Sequence, residues 1–447
     1  MAKPLHVLVI GAGTGGMCLA HGLRRAGISV AVYERHRHRS DGLYGYRVGI
    51  DRMGSYALHQ CLPPELYQTF VATCAREPRY FDFLTEQLKA VLGLELKEET
   101  DEIGGEKSVS RMTLRQVLLT DADDMVEYDK VFTRYEQNPD GTVTAFFEDG
   151  TSATGDLLVA ADGTRSRVRE QYLPHAKVRQ SGAISVTAKV AMTEETKALI
   201  PPHVFEGIGL ISAPKGYACI LHSMEFKWDR NGDVKNGVGG NDADLIKRWP
   251  GLLYDNTRDY INWGFWTATR DYPPNIMDLR GEELIALIKR MCAGWHPNMH
   301  TLFDLSDPST CFPIDIQTSD RIPQWETSNI TLLGDAIHTM TPGRGIGANT
   351  ALRDAALLYK RLTEASHGEK SLVQAVREYE TRMIEYGFAA VEASRKQTGN
   401  EQITHKPVIG RLALAGMRGG LRLAGSIPPV KAKMVEGLYT DRYEVDD

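Results

Sequence analysis

The chain of 447 residues lacks several things that would narrow its role at once. Its six cysteines, at 18, 61, 74, 219, 292 and 311, form no Cys-x-x-Cys pair and no Cys/His cluster at zinc spacing. A redox dithiol and a structural zinc site are therefore excluded, and no metal is expected. There is no excess of positive charge: 52 Lys and Arg stand against 58 Asp and Glu, a net charge of -6. A nucleic-acid partner is excluded on that ground, because phosphate binding leaves a basic surface. No uncharged apolar run approaches the about 20 residues of a membrane helix. The nearest candidate, 409–428, is interrupted by Arg411, Arg418 and Arg422, and reads as an amphipathic helix on the body of the protein, with a membrane-surface role as the lesser alternative. The N-terminal apolar run ends in glycines rather than a cleavage site, so it reads as a buried strand and not as a signal peptide. Scattered thiols without a signal imply a reducing compartment, the cytoplasm.

What is present is a globular balance of 42% hydrophobic and 25% charged residues, over a length that calls for two or three packed units. Residues 5–10 read as a strand, followed by a glycine turn, a helix to about Ala26, and a second strand Ser29–Tyr33 ending on Glu34. That order begins a parallel α/β sheet. Residues 51–120 read as mostly helical. Strands return near 131–135 and 142–148, turning at Asp149-Gly150, and at 156–161 before Asp162-Gly163. After about 175, runs at 183–192, 205–212, 216–226 and 260–269 read as an inserted antiparallel layer. Parallel-strand character resumes at 330–333, and helix dominates from 346 to 400. The expected organisation is a discontinuous doubly wound α/β unit, 1–175 with 320–400, a substrate sheet at 176–319 and a helical segment at 401–447.

Three motifs carry the chemistry. Gly11-Ala12-Gly13-Thr14-Gly15-Gly16 matches G-x-G-x-x-G and lies between a strand and a helix, with Glu34 18 residues after Gly16. The glycines allow a tight turn, close backbone approach to a pyrophosphate and close helix packing, while the acid can bind ribose hydroxyls. Gly334-Asp335-Ala336 leads into Thr341-Pro342-Gly343-Arg344-Gly345-Ile346-Gly347-Ala348-Asn349. Such a loop lets backbone lie flat against a planar ligand, with a helix N-terminus aimed at negative charge behind it. Asp162-Gly163-Thr164-Arg165-Ser166-Arg167-Val168-Arg169 is an acidic turn with three arginines. It could hold a second pyrophosphate-bearing ligand or be a solvated basic face.

Together and in this order, the three motifs resemble the class A flavoprotein monooxygenases, the p-hydroxybenzoate hydroxylase-like group, over about residues 5 to 400. The resemblance implies non-covalent FAD, and NADH or NADPH bound transiently without a second Rossmann domain. It also implies O₂ as co-substrate and oxygen transfer from a flavin C4a-hydroperoxide to a small molecule, by hydroxylation or epoxidation. Glu34 matches the adenosine-ribose ligand, Arg111 the arginine near the ribityl and phosphate region, and Asp335 the Gly-Asp carboxylate. Gly347 and Ala348 match backbone groups at the flavin ring, and Arg47-Val48-Gly49 the segment at the flavin edge. With them go Gly11, Gly13, Thr14, Gly15, Gly16, Arg35, Asp162, Pro342, Gly345 and Asn349 as cofactor-binding candidates, and Arg165, Arg167 and Arg169 as NAD(P)H candidates. Arg344 departs from the pattern, its position being often uncharged, and the aromatic signature of related halogenases is absent. In the inserted sheet, Trp263 and Phe265 share one face and Trp266 the other; Tyr217, Cys219 and Leu221 alternate with Ile220, His222 and Met224. These are candidates for a pocket floor or for plain core, and His222 is the candidate base. The aromatic faces favour a bulky, mostly apolar aromatic, indole, polyketide or terpenoid substrate. Two alternatives stay open, a flavin oxidoreductase without oxygen insertion and a non-catalytic FAD-dependent interaction protein.

Overall fold

The computed structural model describes residues 5–39, 41, 47–97, 101, 103–227, 258–398, 406 and 409–440. At its centre lies His6–Ile10, whose last four residues are fully covered, as a strand with helices on both faces requires. It pairs in parallel with Ser29–Tyr33 on one side and Leu157–Ala160 on the other. Ile330–Leu332 and Val126–Glu127 complete a five-stranded parallel sheet, and the chain winds outward from its middle strand in both directions. In such sheets the crevice beyond the carboxyl ends at that switch point receives ligands. Helix Thr14–Arg25 packs against Gly347–Ser366 and Arg52–Cys61. The Rossmann-like α/β architecture expected of the sequence is present. Phe132–Gln137, Val143–Phe147 and Ser152–Gly155 form a separate three-stranded sheet.

A seven-stranded sheet follows the order Phe312–Ser319, Val178–Ala191, Tyr260–Ala268, Ala218–Met224, Gly207–Ser212, Tyr80–Leu84, Ala90–Glu95. Its outer part corrects one expectation. Residues 51–120 are not mostly helical, because Tyr80–Leu84 and Ala90–Glu95 are strands rich in aromatic and aliphatic residues. The inserted strands pair antiparallel with one another, as expected, and Gly207–Ser212 also runs parallel to Tyr80–Leu84. This sheet therefore draws on residues from both sides of position 175. The polar stretch 229–241, with its Asn236 to Gly240 cluster, lies outside the described residues.

One face of the seven-stranded sheet is closed by Gly281–Met291 and Pro297–Asp304, which bury Cys219, Leu221, Trp263 and Phe265 against Leu284, Ile288 and Phe303. Trp263 stands edge-on to Phe303 at 5.0 Å and donates its ring N–H to Ser306 at 2.8 Å. The C-terminal helices Ile409–Gly425 and Pro428–Thr440 lie by the outer strand, where Val435 joins Leu92 and Leu94. Among the described residues no helix is long and apolar enough to cross a membrane. All six cysteines are buried and unpaired.

Candidate active site

The carboxyl edge of the parallel sheet gathers residues from four strand ends. Gly11 leaves its strand at φ +106°, where a Cβ would lie 2.5 Å from the Ala161 carbonyl oxygen. A Cβ on Gly16 would lie 2.3 Å from the Gly11 oxygen, and one on Gly15 2.7 Å from Leu333 Cδ1. Only glycine permits this packing. Gly13, by contrast, is exposed and opens the helix Thr14–Arg25, whose first N–H groups have no side-chain cap among the described residues. Uncapped N–H groups at a helix start favour a phosphate. Glu34 is 5% exposed and ties its strand to the turn: Oε2 accepts the Ala12 N–H at 2.9 Å, and Oε1 the His36 N–H at 3.0 Å. Arg35 beside it is exposed.

Asp162 follows Leu157–Ala160, next to Gly11. Its Oδ2 accepts the Arg167 N–H at 3.0 Å, whereas Oδ1 is buried without a hydrogen-bond partner among the described residues. Burial pushes its pKa up, opposed by Ser166 and the N–H groups of the turn. An orphaned buried acceptor costs about 1–3 kcal/mol until a donor reaches it. The three arginines of this turn diverge. Arg167 reaches over the three-stranded sheet to Phe132 O and Glu148, both at 2.9 Å. Arg169 is buried and donates to Ala336 O and Thr164 O, both at 2.9 Å, and burial lowers its pKa. Arg165 is exposed and lines, with Arg169, Lys177 and Arg179, a cavity of about 450 Å³.

Asp335 opens into the crevice after Ile330–Leu332. The protein crowding its carboxyl pushes the pKa up, while His338 and Arg111 draw it down, which places Arg111 at this end of the crevice. Behind it stands a cluster that the sequence reading passed over. Asp354 and His338 are 0% and 1% exposed, with Nε2 to Oδ2 at 2.6 Å. The same Oδ2 accepts the Gly334 N–H at 2.7 Å, and Oδ1 accepts the Tyr386 hydroxyl at 2.6 Å. Burial disfavours a charged His338, but the Asp354 carboxylate outweighs it and raises the His338 pKa. The signal was a carboxylate on the apolar face of Gly347–Ser366, among Leu352, Ala355 and Leu358.

The loop after Thr341 is open. Pro342 and Gly345 are exposed; Gly345 has φ +65° and no atom within 4 Å of a Cβ placed on it. Gly347 and Ala348 are half-buried at the start of the 20-residue helix. Asn349 is occupied structurally, since Oδ1 accepts the Asp51 N–H at 3.0 Å and Nδ2 donates to Gly49 O at 2.9 Å. Gly49 belongs to Arg47–Ile50, which pairs with Lys107–Ser110. Arg47 donates to Ser108 Oγ at 2.9 Å and shares a small cavity with His222. Burial, helped by the Arg47 charge, lowers the His222 pKa far enough to hold it neutral.

His222 lies on the second face of the seven-stranded sheet, the one opposite the helices. Cross-strand pairs align Leu210 with Ile220, Ile220 with Gly264, Gly264 with Thr187 and Thr187 with Phe312. Trp266, Ser185 and Ile314 form the adjoining row. Leu210, Ile220, Trp266, Phe312 and Ile314 are half-buried, an apolar floor with a dip at Gly264. Of the floor candidates, Trp266 and Ile220 lie on this face, while Trp263, Phe265, Cys219 and Leu221 are core. Ser319 donates its N–H to Thr339 O at 2.8 Å, joining the sheet to the Asp335 loop.

A Rossmann-like crevice beside an apolar sheet defines an enzyme class that works on small molecules with a dinucleotide cofactor. Residues 315–394 match the FAD binding domain and 9–66 the NAD(P)-binding Rossmann-like domain. A solved structure from Photorhabdus luminescens, described as an FAD containing monooxygenase, is 31% identical, with 88% of this chain and 98% of that chain covered and a TM-score of 0.74. The dual O-methyltransferase/FAD-dependent monooxygenase CTB3 of Cercospora beticola is 30% identical over 397 residues, 84% of this chain. This chain spans only 44% of that protein's length. Klebsiella pneumoniae HpxO, solved with FAD and uric acid, has the same fold at a TM-score of 0.74 and 23% identity, with 97% of this chain and 96% of that chain covered. The chain belongs to the family of FAD-dependent monooxygenases. The residues fit that cofactor: the glycine turn excludes side chains, and among the described residues Asp162 holds an orphaned acceptor and two helix starts carry no side-chain cap.

Proposed function

We propose that this protein uses FAD, NADH or NADPH, and O₂ to insert one oxygen atom into a bulky, mostly apolar aromatic, indole, polyketide or terpenoid. The observation that supports the reading is that Gly11–Gly16, Glu34, Asp162 and Asp335 each follow the carboxyl end of a strand in one parallel sheet, with Arg111 acting on the Asp335 carboxyl. In this reading Gly13, Thr14, Gly15 and Glu34 hold the adenosine and pyrophosphate end of the cofactor. Asp162, Asp335 and Arg111 hold its polyhydroxy chain and phosphate. Bound FAD supplies hydride acceptance from NAD(P)H and the activation of O₂ for electrophilic transfer. The chain's own part is placement and dryness. The uncapped start of Gly347–Ser366 offers N–H groups to negative charge at the ring edge. Leu210, Ile220, Trp266, Phe312 and Ile314 hold the substrate out of water, which limits loss of activated oxygen as peroxide. His222, kept neutral, can accept a hydrogen bond from a phenol or indole at the floor's edge. Arg165, with Lys177 and Arg179, offers positive charge to the phosphates of NAD(P)H, and we place the reaction in the cytoplasm, where that donor is kept reduced. The deciding experiment is mass spectrometry of the product formed under ¹⁸O₂ with NADPH or NADH, across a panel of aromatic substrates. One ¹⁸O atom per product is expected. A dehydrogenated product without label would replace this reading by a flavin oxidoreductase.

A further inference from the structure

The helix Ile409–Gly425 carries apolar residues on its outward side as well as on the side that rests on the protein. Helices resting on a globular body bury their apolar stripe and show polar residues to water. Here the side against the protein carries Gly410, Leu414, Arg418, Leu421 and Gly425, with Leu421 packed on Leu92 and Leu94. Leu414 is buried, Arg418 donates to Glu86 and Ser212 O, and Gly425 abuts Leu92. At about 100° per residue the opposite side carries Ile409, Leu412, Gly416, Gly420 and Leu423. Ile409, Leu412 and Leu423 are 58%, 71% and 64% exposed, and Ile427 and Val430 continue the exposed line into Pro428–Thr440. Charge points the same way. From residue 402 to residue 435 the sequence has Lys406, Arg411, Arg418, Arg422, Lys431 and Lys433 but no Asp or Glu, in a chain of net charge -6. Arg411 and Arg422 are exposed, between the side that rests on the protein and the apolar line.

We infer that this C-terminal helix pair docks on an anionic lipid surface, with Leu412, Leu423 and Ile427 entering the interface and Arg411, Arg422 and Lys433 meeting headgroups. An outward apolar stripe flanked by cations is the pattern of a helix lying in a membrane interface. A second copy of this chain is the poorer occupant, because it would set the exposed Arg411, Arg422 and Lys433 against the same cations of its partner. The proposal does not rest on the reaction above, since these residues belong to helices that follow the parallel unit and lie by the outer strand Ala90–Glu95. The test is flotation of the full-length, FAD-loaded protein with vesicles of phosphatidylcholine mixed with phosphatidylglycerol, against vesicles of phosphatidylcholine alone. Binding is expected only to the anionic vesicles and should weaken as salt is raised. Leu412→Glu with Leu423→Glu should lower binding by more than about tenfold. Arg411→Ala and Arg422→Ala should each lower it about fivefold. FAD content and far-ultraviolet circular dichroism confirm that each variant is folded. Absence of binding to anionic vesicles, or binding unchanged in the Leu412/Leu423 variant, overturns the proposal. So does a dimer in sedimentation velocity that the same variant dissolves, because a second copy then covers this face.

Discussion

The turn Gly11–Gly16, directly after a parallel strand, and the loop 341–348, one short helix beyond another, each lead into a long helix, yet they are held in place by different means. In the first, backbone packs on backbone: a Cβ at Gly11 or Gly16 would come within 2.5 or 2.3 Å of a carbonyl oxygen. The second has room, with nothing near a Cβ on Gly345, and its position comes from side chains anchored elsewhere. Asp354 grips Gly334 N–H, His338 and Tyr386, and Asn349 ties the loop's helix to Gly49 and Asp51. A self-packed turn tolerates no side chain but needs no outside help. A loop pinned from behind tolerates local change and fails when its anchor goes.

The largest effect should therefore come from an anchor. Asp354→Asn removes a buried charge that serves three donors and strands His338, at a cost of about 3–5 kcal/mol. Denaturant unfolding of the FAD-loaded protein measures this, and a loss below about 1 kcal/mol would mean that the loop is pinned otherwise. The pair also carries a pH signature. The His338 pKa is raised in the folded state, so its contribution is complete below its unfolded value of about 6.5 and is lost as pH rises through the folded value. The stability gap between wild type and His338→Gln should thus narrow from acid to alkaline pH; a constant gap would assign the interaction to packing alone.

Gly16→Ala should follow, at about 3 kcal/mol from overpacking against backbone that cannot yield, with FAD lost on gel filtration. Glu34→Ala should weaken FAD about ten- to a hundredfold, equivalent to about 1.5–3 kcal/mol for a charge-assisted bond. Titration of the apoprotein measures it, and unchanged affinity would leave Glu34 as a brace for Ala12 only. The mildest should be Gly345→Ala, where about 1 kcal/mol of left-handed strain is the only penalty. Its mark should be a lower ratio of product to NAD(P)H oxidised, with peroxide making up the difference. If Gly345→Ala strips FAD as Gly16→Ala does, the two loops are not held differently.

Much of this site was legible because its markers are local. A glycine turn between strand and helix, an acid at the next strand's end, and Asp162 and Asp335 just beyond apolar runs all depend on spacing within one strand–turn–helix unit. Strand parity likewise separated Trp263 and Phe265 from Trp266. Parity does not say which face is covered, and only the packing of Gly281–Met291 and Pro297–Asp304 made the first pair core. The strands at 80–95 escaped because their partner, Gly207–Ser212, lies over a hundred residues away. Arg165, Arg167 and Arg169 look alike in the chain, yet one lines a cleft, one clasps Glu148 and one braces Ala336.

By itself the sequence determined the glycine turn between strand and helix, the parallel unit around it and the alternation of the inserted strands, because short-range sterics and hydrogen bonding set these within a few residues. Tertiary structure alone decided which sheet face became the floor, which polar groups were consumed as anchors, and that Arg47 and His222 meet. It also left one apolar side of Ile409–Gly425 facing outward. Burial and charge pairing are properties of what packs opposite a residue, and that neighbour is chosen by the folded chain as a whole.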